Sequence, residues 1–248
     1  MPVNRRAKYV NHMGKQPKQD SVRQSNELVY AIKKILEEVG LKCQLAEEVK
    51  DGDIRGAPAI QLPDGRLVLA PDLYCEYKGR KFWVEVKDKC QRFFYEDTGI
   101  NLQELVSFYD VQQQREEPIL VIFQDDSLED CLVENAETEK KERYRIRWQK
   151  FGGKPYGNWL ENLLQASFPY PLMSKDHSRG VDMYIVYFPI NLMRDLEAIL
   201  STLLQDLKNF TNSERVSLKL YTFSQMREKD IREKLKEITN LYERHRNR

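Results

Sequence analysis

The chain has 248 residues, and its 40 Lys and Arg against 39 Asp and Glu leave a net charge of +1, which excludes a global electrostatic pull toward nucleic acid. The length suggests a core with an appended region. No apolar run is long enough for a membrane span and the first residues lack a signal-peptide core, so the expectation is a soluble cytoplasmic protein with no membrane partner.

Residues 1–20 are polar and basic, with Arg5, Arg6, Lys8, Lys15 and Lys18, and read as a flexible arm. Ser21 and Gln24 match a capping box, opening a helix that stops at Gly40. Leu28, Ile32, Ile35, Leu36 and Val39 make its buried stripe, and Glu27 points well away from the centre of that stripe. Residues 41–49 read as a first strand. Pro63-Asp64-Gly65 is turn chemistry between two apolar runs, and residues 67–77 form a hairpin with 81–87, turning at Lys78-Gly79-Arg80. After a polar loop, Leu102, Leu105, Val106 and Tyr109 share one helical face, and Gln112 and Gln113 follow. Residues 118–124 form a strand apolar enough to be buried on both sides.

Farther on, Arg143, Arg145 and Arg147 alternate with Tyr144, Ile146 and Trp148, and with Lys140, Lys141, Lys150 and Lys154 they give residues 139–154 a local charge of +5. This is a surface suited to following phosphates, or equally a solvated basic edge strand. The Gly- and Lys-rich stretch 151–157 marks a boundary. The last third reads strand 181–189, helix 192–210, strand 216–222 and helix 224–242, with no evident chemistry. Cys43, Cys75, Cys90 and Cys131 lack zinc spacing and read as free thiols, and His12, His177 and His245 are dispersed, against a histidine-based metal site.

The chemistry concentrates at Pro71-Asp72 and Glu85-Val86-Lys87. Phe82, Val84 and Val86 alternate with Trp83, Glu85 and Lys87, so a strand sends the carboxylate and the ammonium to one face over a hydrophobic wall. Asp72 and Glu85 are oxygen ligands of the kind magnesium takes, with the Val86 carbonyl a third, and Lys87 is placed to orient water or meet a phosphate oxygen. A surface hairpin with an incidental Glu and Lys is the bland alternative.

These residues resemble the PD-(D/E)xK nuclease superfamily of restriction endonucleases, Holliday-junction resolvases and repair nucleases, over roughly residues 21–126. The resemblance implies an α/β, restriction-endonuclease-like core of helix, three strands, helix and strand, a mixed sheet flanked by helices. The core spans 21–150, with a C-terminal α/β extension over 151–248. It implies a metal-dependent endonuclease that hydrolyses duplex or branched DNA with a metal-activated water, using Mg2+ or Mn2+ held by Asp72, Glu85 and Val86, with Lys87 catalytic. The superfamily often adds an acid from its first helix, here Glu27, which reads equally as a solvated charge. Tyr109 and Gln113 match loosely the residues that related nucleases place near the active-site edge; Tyr109 also reads as core. Arg143, Arg145, Arg147 and Lys150 would supply further DNA contacts, and many relatives act as homodimers. Restriction, repair and junction resolution all stay open. The alternative function is an inactive nuclease-like fold that binds nucleic acid or a partner protein.

Overall fold

The computed structural model describes residues 17–89, 97–125, 151, 153–166, 170–176 and 181–210. The first helix, α1 (Pro17–Glu38), begins four residues before Ser21. Proline is well tolerated at a first helical position, where its missing N–H has no intrahelical acceptor. The helix ends as its sequence requires: Gly40 sits at φ +91° and its N–H donates to the Glu37 carbonyl at 3.0 Å. Among its described side chains Val29, Ile32 and Leu36 are buried, whereas Val39, expected in the stripe, is exposed.

The expected strand 41–49 is shorter and turns into a helix: β1 (Lys42–Leu45) passes into one turn, α2 (Ala46–Val49). Glu48 sits in that turn and its carboxylate accepts from the Leu45 N–H at 2.7 Å, which stops the strand. A small antiparallel sheet follows, β2 (Gly52–Ile54), β3 (Ala57–Gln61) and β4 (Leu67–Leu69). Pro63-Asp64-Gly65 is the turn between β3 and β4, with Gly65 at φ +86°.

The run 67–77 is therefore not one strand. Pro71 has no N–H to give a ladder, and the Ala70 N–H donates to the Pro58 carbonyl, so β4 stays with the small sheet. The chain then enters the main sheet as β5 (Leu73–Tyr77), paired antiparallel to the ten-residue β6 (Arg80–Lys89). Lys78 and Gly79 both have positive φ, 48° and 76°, the type I′ geometry that matches strand twist in a two-residue hairpin.

After β7 (Asp97–Asn101), where a polar loop was expected, α3 (Leu102–Arg115) starts with the Asn101 side chain accepting from the Gln103 N–H at 2.8 Å. The strand β8 (Ile119–Asp125) is parallel to β6, and Ile119 to Phe123 are all fully buried, as a two-sided central strand requires. The segment after residue 151 supplies β9 (Tyr156–Trp159), α4 (Leu160–Ala166), β10 (Tyr170–Asp176), β11 (Val181–Pro189), β12 (Arg194–Asp195) and α5 (Leu196–Asn209). The helix expected over 192–210 is thus preceded by a short 3-10 turn and β12. Residues 216–242 lie outside the described part.

The main sheet is mixed, with strand order β1-β5-β6-β8-β9-β12, so the extension expected beyond residue 150 adds two strands to the sheet that carries β6. One face, with Phe82, Val84, Val86, Leu120 and Ile122, packs under α1 and α5. The opposite face, with Trp83, Val121, Phe123 and Tyr156, packs under α3 and α4. A third sheet, β10-β11-β7, completes a mixed α/β architecture.

Candidate active site

Strand β6 alternates as its sequence demands. Phe82, Val84 and Val86 enter the α1 side of the core, and Glu85 and Lys87 emerge on the α3 side beside Trp83. The last registered pair of β5 and β6 is Leu73 with Val84, so the next position sets Asp72 opposite Glu85 on the same face. With β5 ended, the Val86 N–H donates to Asp72 Oδ2 at 2.8 Å, which fixes the carboxylate at the strand mouth.

Lys87 Nζ lies 2.5 Å from Glu85 Oε1 and 2.8 Å from Glu104 Oε2, and 5.8 Å from the centre of the Phe108 ring. Glu104 and Phe108 are one turn apart on α3, so the helix lays an acid and an aromatic ring over the ammonium. The cluster is three carboxylates and one lysine, with Glu85 only 3% exposed and Asp72 half-buried.

Burial, reinforced by the neighbouring Asp72, pushes the Glu85 carboxyl well above its ordinary range, against the opposing pull of Lys87. Burial also raises Asp72, with Lys87 and the Val86 amide acting the other way. Burial alone would lower Lys87, but Glu85, Glu104 and Asp72 override it and hold the ammonium charged. These groups therefore set one another's protonation.

Asp72, Glu85, Val86 and Lys87 come together, and Glu27 makes none of the contacts that join these four. It is exposed on α1, whose buried residues cover the opposite face of the sheet, and the third carboxylate at the cluster is Glu104. Sequence reasoning missed Glu104 because an acid in the first turn of a helix is already explained by the helix dipole. Tyr109 is buried in the core rather than set at an accessible edge. Gln113 is half-buried, and its Nε2 has no hydrogen-bond partner among the described residues. Gln112 is 0% exposed: its Nε2 donates to Glu161 Oε2 at 2.9 Å and its Oε1 accepts from the Ile119 N–H at 3.2 Å, tying α3 to α4 and β8. Arg143, Arg145, Arg147 and Lys150 lie outside the described residues.

Among the described residues, no group of three or more His, Cys, Asp and Glu side chains is arranged to hold a metal ion, and no helix is long and apolar enough to cross a membrane. No family model and no curated protein sequence matches the chain. Among solved structures it is similar to Hjc of Archaeoglobus fulgidus, a Holliday junction resolvase from an archaeal hyperthermophile, with 7% identity and a TM-score of 0.38, covering 71% of this chain and 98% of that one.

Proposed function

We propose that this protein is a divalent-metal-dependent endonuclease of the PD-(D/E)xK type that hydrolyses phosphodiester bonds of DNA at the cluster of Asp72, Glu85 and Lys87. The observation that carries the reading is the convergence of Asp72 and Glu85 on one sheet face with the Lys87 ammonium 2.5 Å from Glu85. Burying several carboxylates against a single lysine is a poor way to stabilise a core, since apolar residues of similar volume do as well or better. A chemical task accounts for the arrangement more economically.

The donor set suits a magnesium or manganese ion. Asp72 and Glu85 are hard oxygen ligands whose proton affinity is raised by burial first, with Asp72 adding repulsion at Glu85 and Glu104 adding it at Asp72, and a divalent cation would relieve that cost as a proton does. Asp72, Glu85 and the Val86 carbonyl would hold the ion, which when bound supplies Lewis acidity toward water and a phosphate oxygen. The Val86 amide keeps Asp72 oriented. Glu104 gives Lys87 a second carboxylate, so the ammonium can leave Glu85 without losing its ion pair and remain beside the site to donate to a phosphate oxygen or to the attacking water.

The test is a cleavage panel over linear duplex, nicked, four-way and single-stranded DNA with magnesium and with manganese, for the parent and Asp72→Ala. Cutting by the parent and its loss in the variant is expected; intact DNA throughout, or an Asp72→Ala that cuts as well as the parent, would overturn the proposal. A second reading, a sheet that only binds nucleic acid or a partner protein, is favoured by one feature: Lys87 already offsets part of the cluster's charge without a cation. Calorimetry separates the two, because a binder predicts no magnesium or manganese uptake dependent on Asp72 and Glu85.

A further inference from the structure

Two of the four cysteines meet away from the acid cluster, on the other face of the same sheet. Cys43 of β1 and Cys75 of β5 are directly opposite each other in the antiparallel ladder, and their sulfurs are 2.9 Å apart. The Ala46 N–H donates to the Asp72 carbonyl at 2.8 Å, which makes positions 46 and 72 a hydrogen-bonded pair. Alternation along the ladder then makes Cys43 and Cys75 a non-hydrogen-bonded pair, whose Cα atoms stand about 4.5 Å apart and whose side chains approach most closely. That separation lies inside the range a disulfide bridges without backbone movement.

Both are free thiols in this structure, and both are buried under α1. The site is nonetheless not sealed. β1 is the edge strand of the main sheet, and a surface depression there is lined by Glu37, Leu41, Cys43, Gln44, Tyr74 and Cys75.

We propose that Cys43 and Cys75 form a reversible cross-strand disulfide by exchange with low-molecular-weight disulfides of the glutathione class. The Cys43 thiolate attacks one sulfur of the small disulfide, breaking its S–S bond and releasing one small thiol. The Cys75 thiolate then attacks the Cys43 sulfur and expels the second. Two protein thiols are oxidised, one small disulfide is reduced to two thiols, and the two protein protons pass to the leaving thiolates. The order follows from position: Cys43 lies on the outer strand β1 and is the less buried of the two, 8% against 1% exposed, so a small disulfide reaches it first. The bond would tie the edge strand to β5, three residues from Asp72.

The test uses the full chain incubated with glutathione disulfide, followed by alkylation and peptide mapping by mass spectrometry. The same is done with the Cys90→Ser/Cys131→Ser variant, where only this pair remains. Expected are a peptide pair joining Cys43 to Cys75 in both proteins, its loss with dithiothreitol, and a rise in Tm of roughly 5 °C on oxidation that Cys43→Ser does not show. The proposal is overturned if Cys43 and Cys75 remain alkylatable in the variant, or if the parent joins either to Cys90 or Cys131 instead. Neither outcome bears on the nuclease reading, which has its own cleavage assay.

Discussion

Replacing Glu85 with Gln should make the protein more stable while abolishing the proposed DNA cleavage. Directly opposed residues of an antiparallel pair have Cβ atoms about 5 Å apart, and two unit charges at that distance repel by roughly 3 kcal/mol at an effective dielectric near 20. Lys87 offsets part of this, but it is shared with Glu104, and burial opposes ionisation of Glu85 further. Gln removes the charge and keeps the shape, and Lys87 retains Glu104 at 2.8 Å, so no orphaned ammonium is left behind. The net gain is about 1–2 kcal/mol at pH 8, a rise in Tm of roughly 2–8 °C for a chain of this size.

The pH dependence follows from linkage. The folded state holds the Glu85 proton more tightly than the unfolded chain does, so parent stability falls as pH rises from the ordinary glutamate value of 4.5 through the raised folded value. Glu85→Gln has no such proton; its advantage is complete above that window and vanishes as pH falls toward 4.5. Thermal melts from pH 4 to 8 in a chelator check this, and a second series with magnesium adds a further reading. If the proposed function holds, the cation should stabilise the parent by mass action but not the variant, narrowing or reversing their order. A Glu85→Gln protein less stable than the parent at pH 8 in chelator would refute the reasoning, because it would mean that the Lys87 pair outweighs both burial and Asp72.

Lys87→Met should leave Glu85 and Asp72 without their nearest cation, costing about 3–5 kcal/mol at pH 8 and less at pH 5, where the acids take up protons; urea melts at both pH values read this. The same variant should still bind manganese in calorimetry while cutting DNA at least ~100-fold more slowly. Gln112→Leu should cost about 2–4 kcal/mol in urea unfolding, since it strips a partner from the buried Glu161 carboxylate and from the Ile119 N–H. Gly157→Ala should cost about 3 kcal/mol or more, or prevent soluble expression, because its Cβ would stand 2.0 Å from the Val121 carbonyl oxygen on the neighbouring strand.

What the sequence made legible at the site is what a period of two and a tight turn can carry. The alternation from Phe82 to Lys87 separates the apolar wall from Glu85 and Lys87, and a Lys78-Gly79 turn of positive φ leaves one register for the hairpin, which places Asp72 across from Glu85. The third acid needed information of another kind. Periodicity says which side of a helix is apolar, but not which face of the sheet that side will cover, so Glu27 on α1 and Glu104 on α3 were equally eligible. The deciding quantity is docking: α3 lands on the Trp83 side through Leu105 and Phe108, bringing Glu104 to Lys87, whereas α1 lands on the Phe82 side. Strand β9 escaped for the opposite reason, because Pro155 and Gly157 read as a boundary when that glycine is required by close approach of two central strands. Both misses have one root: a residue chosen for what a distant strand or face presents to it has no pattern in its own neighbourhood. Glu104 is informative on that ground. The helix dipole explains an acid in its first turn, but not why the turn is set against a lysine already paired with a buried glutamate, and a variant Glu104→Gln, which keeps the helix, separates those two explanations through its effect on manganese binding.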